Sequence, residues 1–286
     1  MFKNISPLAL KIAKEHNINF EKINGTGVKG KIMSKDIINN LNSMNDSTAN
    51  SSLEDKMIEI TTIRNAIAKA MVVAKNEIPA TILTFFVDVT ALVNYRKQVK
   101  DQVQSIFGLK LSYLPFIIKA VIYAIKQYPI FNSSYLKELN KIQIKSAINF
   151  GVAVDTENGL MVPNIKNADQ LSIVELGHKV IELAQKARNK QLSLSEIKNG
   201  TISLTNFGSI GAAWGTPIIN YPEVAIVAPG NIEERLVRNE TNQIVVKQVM
   251  PFTIAADHRW IDGADIGRFM KVIKHHLETL EGLEIK

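Results

Sequence analysis

A short polar stretch divides this chain of 286 residues into two very unequal parts. Residues 42–52 read NSMNDSTANSS, which is rich in Asn and Ser and nearly free of large apolar side chains. A segment of this composition cannot bury enough apolar surface to pack, so it predicts a flexible linker. We therefore predict a small domain at residues 1–42, a linker at 43–55 and a large domain at 56–286.

Two short helices joined by a glycine-rich loop are predicted in the small domain. Ser6 and Pro7 have the order of a helix N-cap and a first helical residue, and Ser34 is placed to cap the second helix. The loop sequence GTGVKG (25–30) resembles a phosphate-binding loop, but such a loop follows a strand and this one follows a helix. Seven lysines and three acidic residues give residues 1–42 a net charge of +4, which predicts an acidic protein surface as the binding partner.

The large domain mixes helices and strands in groups with no strict βαβ repeat, which predicts an α+β fold. Helical spacing of apolar residues predicts helices at 61–78, 90–107, 113–129 and 172–190. β-branched and aromatic runs predict strands at 81–89, 200–207, 222–229, 243–250 and 251–257, and a hairpin at 150–165.

Composition limits the classes of function. With 46% hydrophobic and 21% charged residues the chain is globular. It has no run of about 18 uncharged apolar residues and no secretory signal, which indicates a cytoplasmic protein without a membrane partner. Its charge of +7 is spread along the chain, so no nucleic-acid partner is expected. It has no cysteine, so any reacting thiol belongs to a substrate; we expect no metal site.

One motif near the C-terminus carries a histidine and an aspartate into a turn. Residues 256–265 read ADHRWIDGAD, with His258 and Asp262 four positions apart before a glycine. Asp-Gly is a common turn pair, and a single His or Asp is more often structural than catalytic. The spacing alone therefore leaves a structural and a catalytic interpretation open.

A set of motifs along the whole chain resembles one known family. The small domain contains SPLALKIAKE and GTGVKGKI, and the large domain contains RNAIAKAM, YLPFIIKA, GVAVDTENGLMVP, TNFGSIG, TPIINYPEVAI and DHRWIDGA. In this order they resemble the dihydrolipoamide acyltransferase core subunits of 2-oxo acid dehydrogenase complexes, with the pyruvate dehydrogenase type as first choice. The resemblance implies a peripheral subunit-binding domain, a linker and a catalytic domain of the chloramphenicol-acetyltransferase-like fold, with a mixed sheet and helices.

The resemblance also implies a mechanism of acyl transfer. His258 is expected to act as general base and to remove the proton from the thiol of coenzyme A, whose pKa of about 8.5 leaves little thiolate at neutral pH. The thiolate then attacks the acyl thioester of dihydrolipoamide. The hydroxyl of Thr205 is expected to stabilise the resulting oxyanion. Without the resemblance, Thr205 would be interpreted as a residue at the end of a strand.

Four further residues are implied to take part in this site. Asp262 is expected to be held by an arginine that corresponds to Arg64, so that it stabilises the histidine loop and carries no proton. The alternative for Arg64 is a solvated residue in the first turn of a helix. Asn206 and Gly208, next to Thr205, are the other expected supporting residues.

The implied protein partners dock on the small domain, residues 1–42. They are dihydrolipoamide dehydrogenase and a 2-oxo acid dehydrogenase. Many subunit-binding domains carry an arginine where this chain has Leu10, so Lys11, Lys14 or Lys31 is expected to supply the electrostatic attraction.

The resemblance further implies homotrimers that have active sites between subunits and that assemble into a hollow cubic or dodecahedral core, of 24 or 60 chains. No lipoyl domain is recognisable, so we expect the lipoyl group to come from a separate lipoylated protein or a missing segment. Acetyl is the favoured acyl group, with a branched-chain acyltransferase as the alternative. A non-catalytic scaffold paralogue would usually have lost His258, and a small-molecule acetyltransferase would have no use for the docking domain.

Overall fold

The structure, a computed structural model, describes residues 4–49, 55–157, 159–239 and 241–285. The chain divides into two compact units, Met1–Glu59 and Ile60–Lys286. Residues 50–54, inside the predicted linker, lie outside the described residues.

The first unit is built on the two predicted helices, α1 (Pro7–Glu15) and α2 (Ser34–Ala49). The Ser6 hydroxyl accepts a hydrogen bond from the amide of Ala9 (3.2 Å), and Pro7 is the first helical residue, as predicted. A small apolar core joins the helices to the loop between them; its buried members are Ala9, Ala13, Ile23, Ile32 and Ile37.

One buried carboxylate ties the glycine-rich loop to α2. Asp36 accepts hydrogen bonds from the amide and the hydroxyl of Thr26 (3.0 and 2.8 Å) and from the amide of Met33 (2.9 Å). These hydrogen bonds lower the pKa of Asp36, and the bond from the Met33 amide has the largest effect. Asp36 thus contacts the loop at Thr26 with a negative charge, which argues further against phosphate binding there.

The second helix continues beyond the predicted start of the linker. It ends at Ala49, inside the segment predicted as a linker from residue 43. The stretch 34–49 contains no proline or glycine to stop a helix, and this is the physical reason for the difference. The domain boundaries at 42/43 and 55/56 stay predictions.

The second unit combines helices with a seven-stranded sheet. Its helices are α3 (Thr62–Glu77), α4 (Thr90–Phe107), α5 (Leu114–Gln127), α6 (Ile173–Arg188), α7 (Leu194–Ile197) and α8 (Gly263–Thr279). Its strands are β1 (Ala80–Asp88), β2 (Ser133–Leu136), β3 (Lys141–Ile144), β4 (Phe150–Val152), β5 (Asn164–Ile165), β6 (Ile202–Leu204), β7 (Ala225–Pro229), β8 (Glu233–Arg238) and β9 (Ile244–Asp257). The strands β2 and β3 form a separate hairpin. The predicted α+β class and small helical domain are confirmed.

The sheet is organised around β9. Its order is β1-β9-β7-β6-β4-β5, and β8 also pairs with β9. We predicted two strands at 243–250 and 251–257, but they form this single strand. Pro251 stands between the last residue paired with β8, Val249, and the first paired with β7, Phe252, so a missing amide is tolerated there. The strand β8 was missed because its sequence, EERLVR, is mostly charged.

The core lies between the sheet and the helices α5 and α8. The helix α5 is buried around most of its circumference, as its apolar sequence predicted. The rings of Phe131 and Phe269 stack with their centroids 3.8 Å apart in this layer. The predicted apolar face of α3 behaves differently, because Ala74 is its only buried residue in the described chain and Ile63 is 48% exposed.

The bonds to Asp36 predict acid sensitivity of the first unit. Because the folded-state pKa of Asp36 is lowered, its stabilising effect is present above the unfolded pKa of about 3.9 and is lost as the pH falls through the folded value. We expect Asp36→Asn to speed backbone hydrogen exchange in residues 20–40 at pH 7, with a smaller difference from wild type at low pH. Mass spectrometry of the full chain measures this exchange. The matched control is Glu21→Gln, an exposed acid of the same unit. Equal protection in Asp36→Asn and wild type at pH 7 would contradict the assignment.

Candidate active site

The strand β9 delivers His258 into a turn whose main chain is held on both sides. The amide of His258 donates to the carbonyl of Pro79 (2.9 Å), while the carbonyl of Asp257 accepts from the amides of Trp260 (3.1 Å) and Ile261 (3.0 Å). The His258 side chain is exposed, and its imidazole has no hydrogen bond to a described residue. A fixed backbone with a free imidazole is an arrangement suited to proton transfer to an incoming molecule.

Asp262 closes the turn as the N-cap of α8. Its carboxylate accepts hydrogen bonds from the amides of Ala264 (2.8 Å) and Asp265 (2.9 Å). The amide of Asp262 in turn donates to the carboxylate of Asp265 (3.2 Å). The amide of Asp265, followed by that of Ala264, lowers the pKa of Asp262. Asp262 therefore stays ionised at neutral pH, which favours a role in holding the turn over one in proton transfer.

The predicted pairing of Arg64 with Asp262 is absent from the described chain, where the two residues form no ion pair. Arg64 lies exposed in the first turn of α3, and its guanidinium is beside Gly159. A Cβ atom at Gly159 would come within 2.6 Å of the Arg64 Nη1 atom, and the φ of this glycine is +113°. Asp262 uses its carboxylate to cap α8 within its own chain, which is the physical reason for the difference.

An ion pair that the motifs did not indicate flanks His258. Asp257 is 1% exposed, and Arg259 binds it through two guanidinium nitrogens, with Nε 2.9 Å from Oδ1 and Nη2 2.7 Å from Oδ2. The hydrogen bonds to the Asp257 carboxylate raise the pKa of the Arg259 guanidinium. The signal was present in the sequence, since an acid and a base flank the histidine in DHR.

Thr205 follows β6 and is the neighbour in sequence of Asn206, which lines a cleft of about 600 Å³. Its amide donates to the carbonyl of Val227 (3.0 Å). The predicted supporting residues Asn206 and Gly208 line this cleft, together with Lys97 and other residues of α4 and β9. A Cβ atom at Gly208 would lie 2.7 Å from the carbonyl oxygen of Gly230, so only glycine fits there.

Thr205 and His258 lie towards opposite ends of the strand β7, which separates β6 from β9. Thr205 is bonded to Val227 of β7, whereas Asp257, next to His258, donates to the carbonyl of Val224 just before β7 begins (2.8 Å). The antiparallel register of β7 and β9 places His258 about five residues along the strand from Thr205, and β7 separates β6 from β9. With a rise of about 3.3 Å per residue and strands about 4.8 Å apart, the two residues are roughly 15 to 20 Å apart. Their side chains cannot meet within one chain.

A buried carboxyl group lies near the histidine turn. Glu223 is 3% exposed and precedes Val224, to which Asp257 is bonded. Its Oε1 accepts from Asn220 Nδ2 (2.9 Å), and its Oε2 has no partner among the described residues. Burial raises the pKa of Glu223 to about 7.

The predicted partner-binding lysines lie on the surface of the first unit. Lys11 and Lys14 are exposed on α1, Lys31 is half-buried after the glycine-rich loop, and none of them forms an ion pair with a described residue. Leu10 is half-buried. Within the described ranges, no three His, Asp or Glu side chains are grouped as metal ligands, and no helix has the length and apolarity needed to span a membrane.

Two family models cover nearly the whole chain. The model described as the 2-oxoacid dehydrogenases acyltransferase catalytic domain matches residues 52–285, and the e3 binding domain matches residues 4–38. The chain belongs to the 2-oxo acid dehydrogenase acyltransferase family. The resemblance of the motifs is thereby confirmed, including the docking domain at the N-terminal end.

Curated members of this family are similar over most of the chain. The dihydrolipoyllysine-residue acetyltransferase component of the pyruvate dehydrogenase complex of Mycoplasma genitalium is 51% identical over 235 residues, which are 82% of this chain and 61% of that protein. The component of the same name from Acholeplasma laidlawii is 39% identical over 296 residues, 95% of this chain and 54% of that protein. The chain thus spans less than two thirds of the length of these relatives.

Solved structures share the fold of the second unit. A probable dihydrolipoamide acetyltransferase from Listeria monocytogenes is 38% identical with a TM-score of 0.77, covering 80% of this chain and 97% of that one. The cubic core of a pyruvate dehydrogenase multienzyme complex is 30% identical, also with a TM-score of 0.77, covering 82% and 96%. The Azotobacter vinelandii dihydrolipoamide acetyltransferase (30% identity, TM-score 0.77, covering 80% and 93%) was studied for the catalytic roles of a serine, a histidine and an asparagine.

The raised pKa of Glu223 predicts a pH-dependent stability difference. Between pH 4.5 and 7 the folded chain keeps a proton that the unfolded chain has lost, so the free energy of unfolding falls as the pH rises through this window. Glu223→Gln lacks this titration, so its stability relative to wild type should increase by up to roughly 3 kcal/mol from pH 4.5 to pH 8. Denaturant unfolding of both proteins across this range measures the difference, in which the other titrating groups cancel. Parallel stability curves would mean that Glu223 ionises normally.

Proposed function

We propose that this protein transfers an acyl group, with acetyl as first choice, between dihydrolipoyl-lysine and coenzyme A in the core of a 2-oxo acid dehydrogenase complex. The observation that carries the proposal is the exposed imidazole of His258 on a turn with a fixed backbone, in a chain of the acyltransferase family. The two curated relatives described above carry the acetyltransferase name, which supports acetyl.

The proposed reaction needs one general base and one oxyanion donor. The neutral imidazole of His258 removes the proton from the thiol of coenzyme A, and the thiolate attacks the carbonyl carbon of the acyl-dihydrolipoyl thioester. The Thr205 hydroxyl donates a hydrogen bond to the oxyanion of the tetrahedral intermediate. The intermediate collapses, the dihydrolipoyl sulfur leaves, and the His258 imidazolium returns the proton to it. Both thiols come from substrates, because the chain has no cysteine.

The proposed active site is shared between two chains. His258 and Thr205 are roughly 15 to 20 Å apart in one chain by the strand geometry, so a common site requires the histidine of one chain and the threonine of another. A homotrimer with three equivalent interfaces satisfies this requirement. The exposed apolar residues of α3, such as Ile63 and Val72, are a further reason to expect a neighbouring chain.

The cleft lined by Asn206 and Gly208 is the proposed entry for coenzyme A. Asn206 follows the proposed oxyanion donor Thr205 in sequence, and the lining also includes the cationic Lys97 and the small residue Gly230. A cation and a backbone that can be closely approached suit a long anionic thiol such as coenzyme A.

The first unit is the proposed docking site for dihydrolipoamide dehydrogenase and the 2-oxo acid dehydrogenase. The match to the e3 binding domain supports the former, and the exposed charges of Lys11 and Lys14 supply attraction to an acidic partner surface. The similarity to a cubic multienzyme core supports assembly of trimers into a larger particle. The subunit number of that particle, 24 or 60, is best measured directly, for example by mass photometry.

The shared site predicts complementation between two inactive variants. His258→Ala should lower kcat by at least about 10² because the general base is lost, and Thr205→Ala should lower it because the oxyanion donor is lost. Refolding the two variants together at equal amounts should restore about one quarter of the sites, since each site draws its two groups from independently chosen chains. The assay is acetyl transfer from acetyl-CoA to free dihydrolipoamide.

Each variant refolded alone is the control for this experiment. Wild-type activity of His258→Ala would contradict the mechanism. Inactive mixtures of two inactive variants would place the whole site within one chain.

We also propose that the lipoyl group is carried outside residues 1–286. The two matched family models assign residues 4–38 and 52–285 to docking and catalysis, which supports this proposal. The chain should transfer acetyl to free dihydrolipoamide, yet support overall 2-oxo acid oxidation only when a lipoylated domain is added, because a tethered arm presents its thioester at about millimolar concentration. Intact mass and activity with partner dehydrogenases measure this. A lipoylated lysine within the chain, or full turnover without addition, would contradict it.

A further inference from the structure

An ion pair joins the two neighbours of His258 in sequence, the buried Asp257 and the partly exposed side chain of Arg259. The Arg259 guanidinium contacts both carboxylate oxygens of Asp257, and the amide of Arg259 donates to Asp257 Oδ1 as well (3.2 Å). These bonds connect the residue before His258 to the residue after it. The Cα of His258 is thus enclosed in a small ring closed by side-chain hydrogen bonds.

Two aromatic rings lie close to the Arg259 guanidinium. Arg259 Cζ lies 5.1 Å from the ring centroid of Tyr135 and 5.5 Å from that of Trp260. The rings of Tyr135 and Trp260 lie 4.8 Å apart at an angle of 34°. Tyr135 belongs to the hairpin of β2 and β3, so Arg259 connects the histidine turn to an element distant in sequence. Cation–π contacts of this kind favour the planar guanidinium.

The electrostatics make this arrangement hard to change. Asp257 is 1% exposed, so its carboxylate needs a compensating charge, and Arg259 is the cation that the structure places against it. Removal of Arg259 would leave a buried charge uncompensated at the residue next to His258. The turn would then relax by moving Asp257 toward solvent, and the imidazole would move with it.

We propose that Arg259 is a positioning residue that sets the direction of the His258 imidazole toward the thiol it deprotonates. This inference rests on the proposed acyltransferase function. Arg259 acts on the reaction through Asp257 and His258. Two of its guanidinium nitrogens bind the Asp257 carboxylate, and the guanidinium lies over the ring of Tyr135. A displacement of about 1 Å in such a group can reduce turnover about 10²-fold while leaving substrate binding intact.

The test compares Arg259→Gln, Arg259→Lys and Arg259→Ala with wild type in acetyl transfer from acetyl-CoA to dihydrolipoamide. The matched control is Arg235→Gln, because Arg235 also has a carboxylate two residues before it, Glu233 (3.9 Å), and lies 4.4 Å over the Phe86 ring, far from the histidine turn. Thermal unfolding and native mass of each variant show how much protein is folded and assembled. Kinetic constants are then expressed per folded chain.

We expect Arg259→Gln to lower kcat by about 10- to 100-fold, with the KM values for both substrates within about twofold of wild type. Arg259→Lys should recover little, since an ammonium group cannot make the two-point contact. Millimolar guanidinium should raise the kcat of Arg259→Ala while leaving wild type unchanged. Arg235→Gln should have wild-type kinetics. A purely stabilising role of Arg259 would lower the folded fraction and leave kcat per folded chain unaltered.

A second measurement separates this inference from the proposed function. Diethyl pyrocarbonate modifies exposed imidazoles, and mass spectrometry of the peptide that contains His258 gives its rate of modification without any acyl transfer. We expect this rate to differ severalfold between Arg259→Gln and wild type, while Arg235→Gln matches wild type. Inactive wild-type protein would overturn the proposed function. Active wild-type protein with unchanged kcat and unchanged His258 modification in Arg259→Gln, or full activity of Arg259→Lys, would overturn the positioning role.

Discussion

The C-terminal half of β9 is buried, so its backbone and its charged side chain need partners inside the protein. The sheet of the second unit is built around those partners. From Val249 to Asp257 every residue is buried, with β1 paired along one edge and β7 along the other. The ladder satisfies the backbone up to Asp257, where β9 ends and a charged side chain is still buried. The ion pair with Arg259 compensates this charge at the point where the chain leaves the sheet. The exposed His258 therefore directly follows a strand that is buried and paired along both of its sides.

The placement of the two proposed reacting groups links catalysis to assembly. Because β6 runs parallel and β9 antiparallel to the strand β7 between them, the residues that follow β6 and β9 leave the sheet at opposite ends of β7. Thr205 and His258 are separated by about five residues along the strand direction and by the width of β7, so their side chains cannot meet within one chain. In the proposed mechanism, contact between chains is therefore part of the chemistry, because one chain would contribute the histidine and another the threonine.

Much of the fold follows from local sequence signals. The Ser6–Pro7 start of α1, the start of α6 at Ser172 and the apolar circumference of α5 were predictable because caps and periodicity act within a few residues. The union of two predicted strands in β9 was not, because it depends on partners far away in sequence. The charged strand β8 was hidden for the same reason. At the site, motifs indicated His258, Thr205 and Asp262, whereas the roles of Asp257 and Arg259 required the burial of Asp257 to be known.

The central position of β9 also bears on the order in which the chain can fold during synthesis. In the described sheet, β1 is paired only with β9, so this apolar strand lacks its neighbour until nearly the whole second unit has left the ribosome. The first unit makes its contacts within a few dozen residues and can fold while the ribosome is still translating the rest. The nascent chain would thus pass through a stage in which the first unit is complete while TILTFFVD remains unpaired, and an unpaired apolar strand is prone to aggregation.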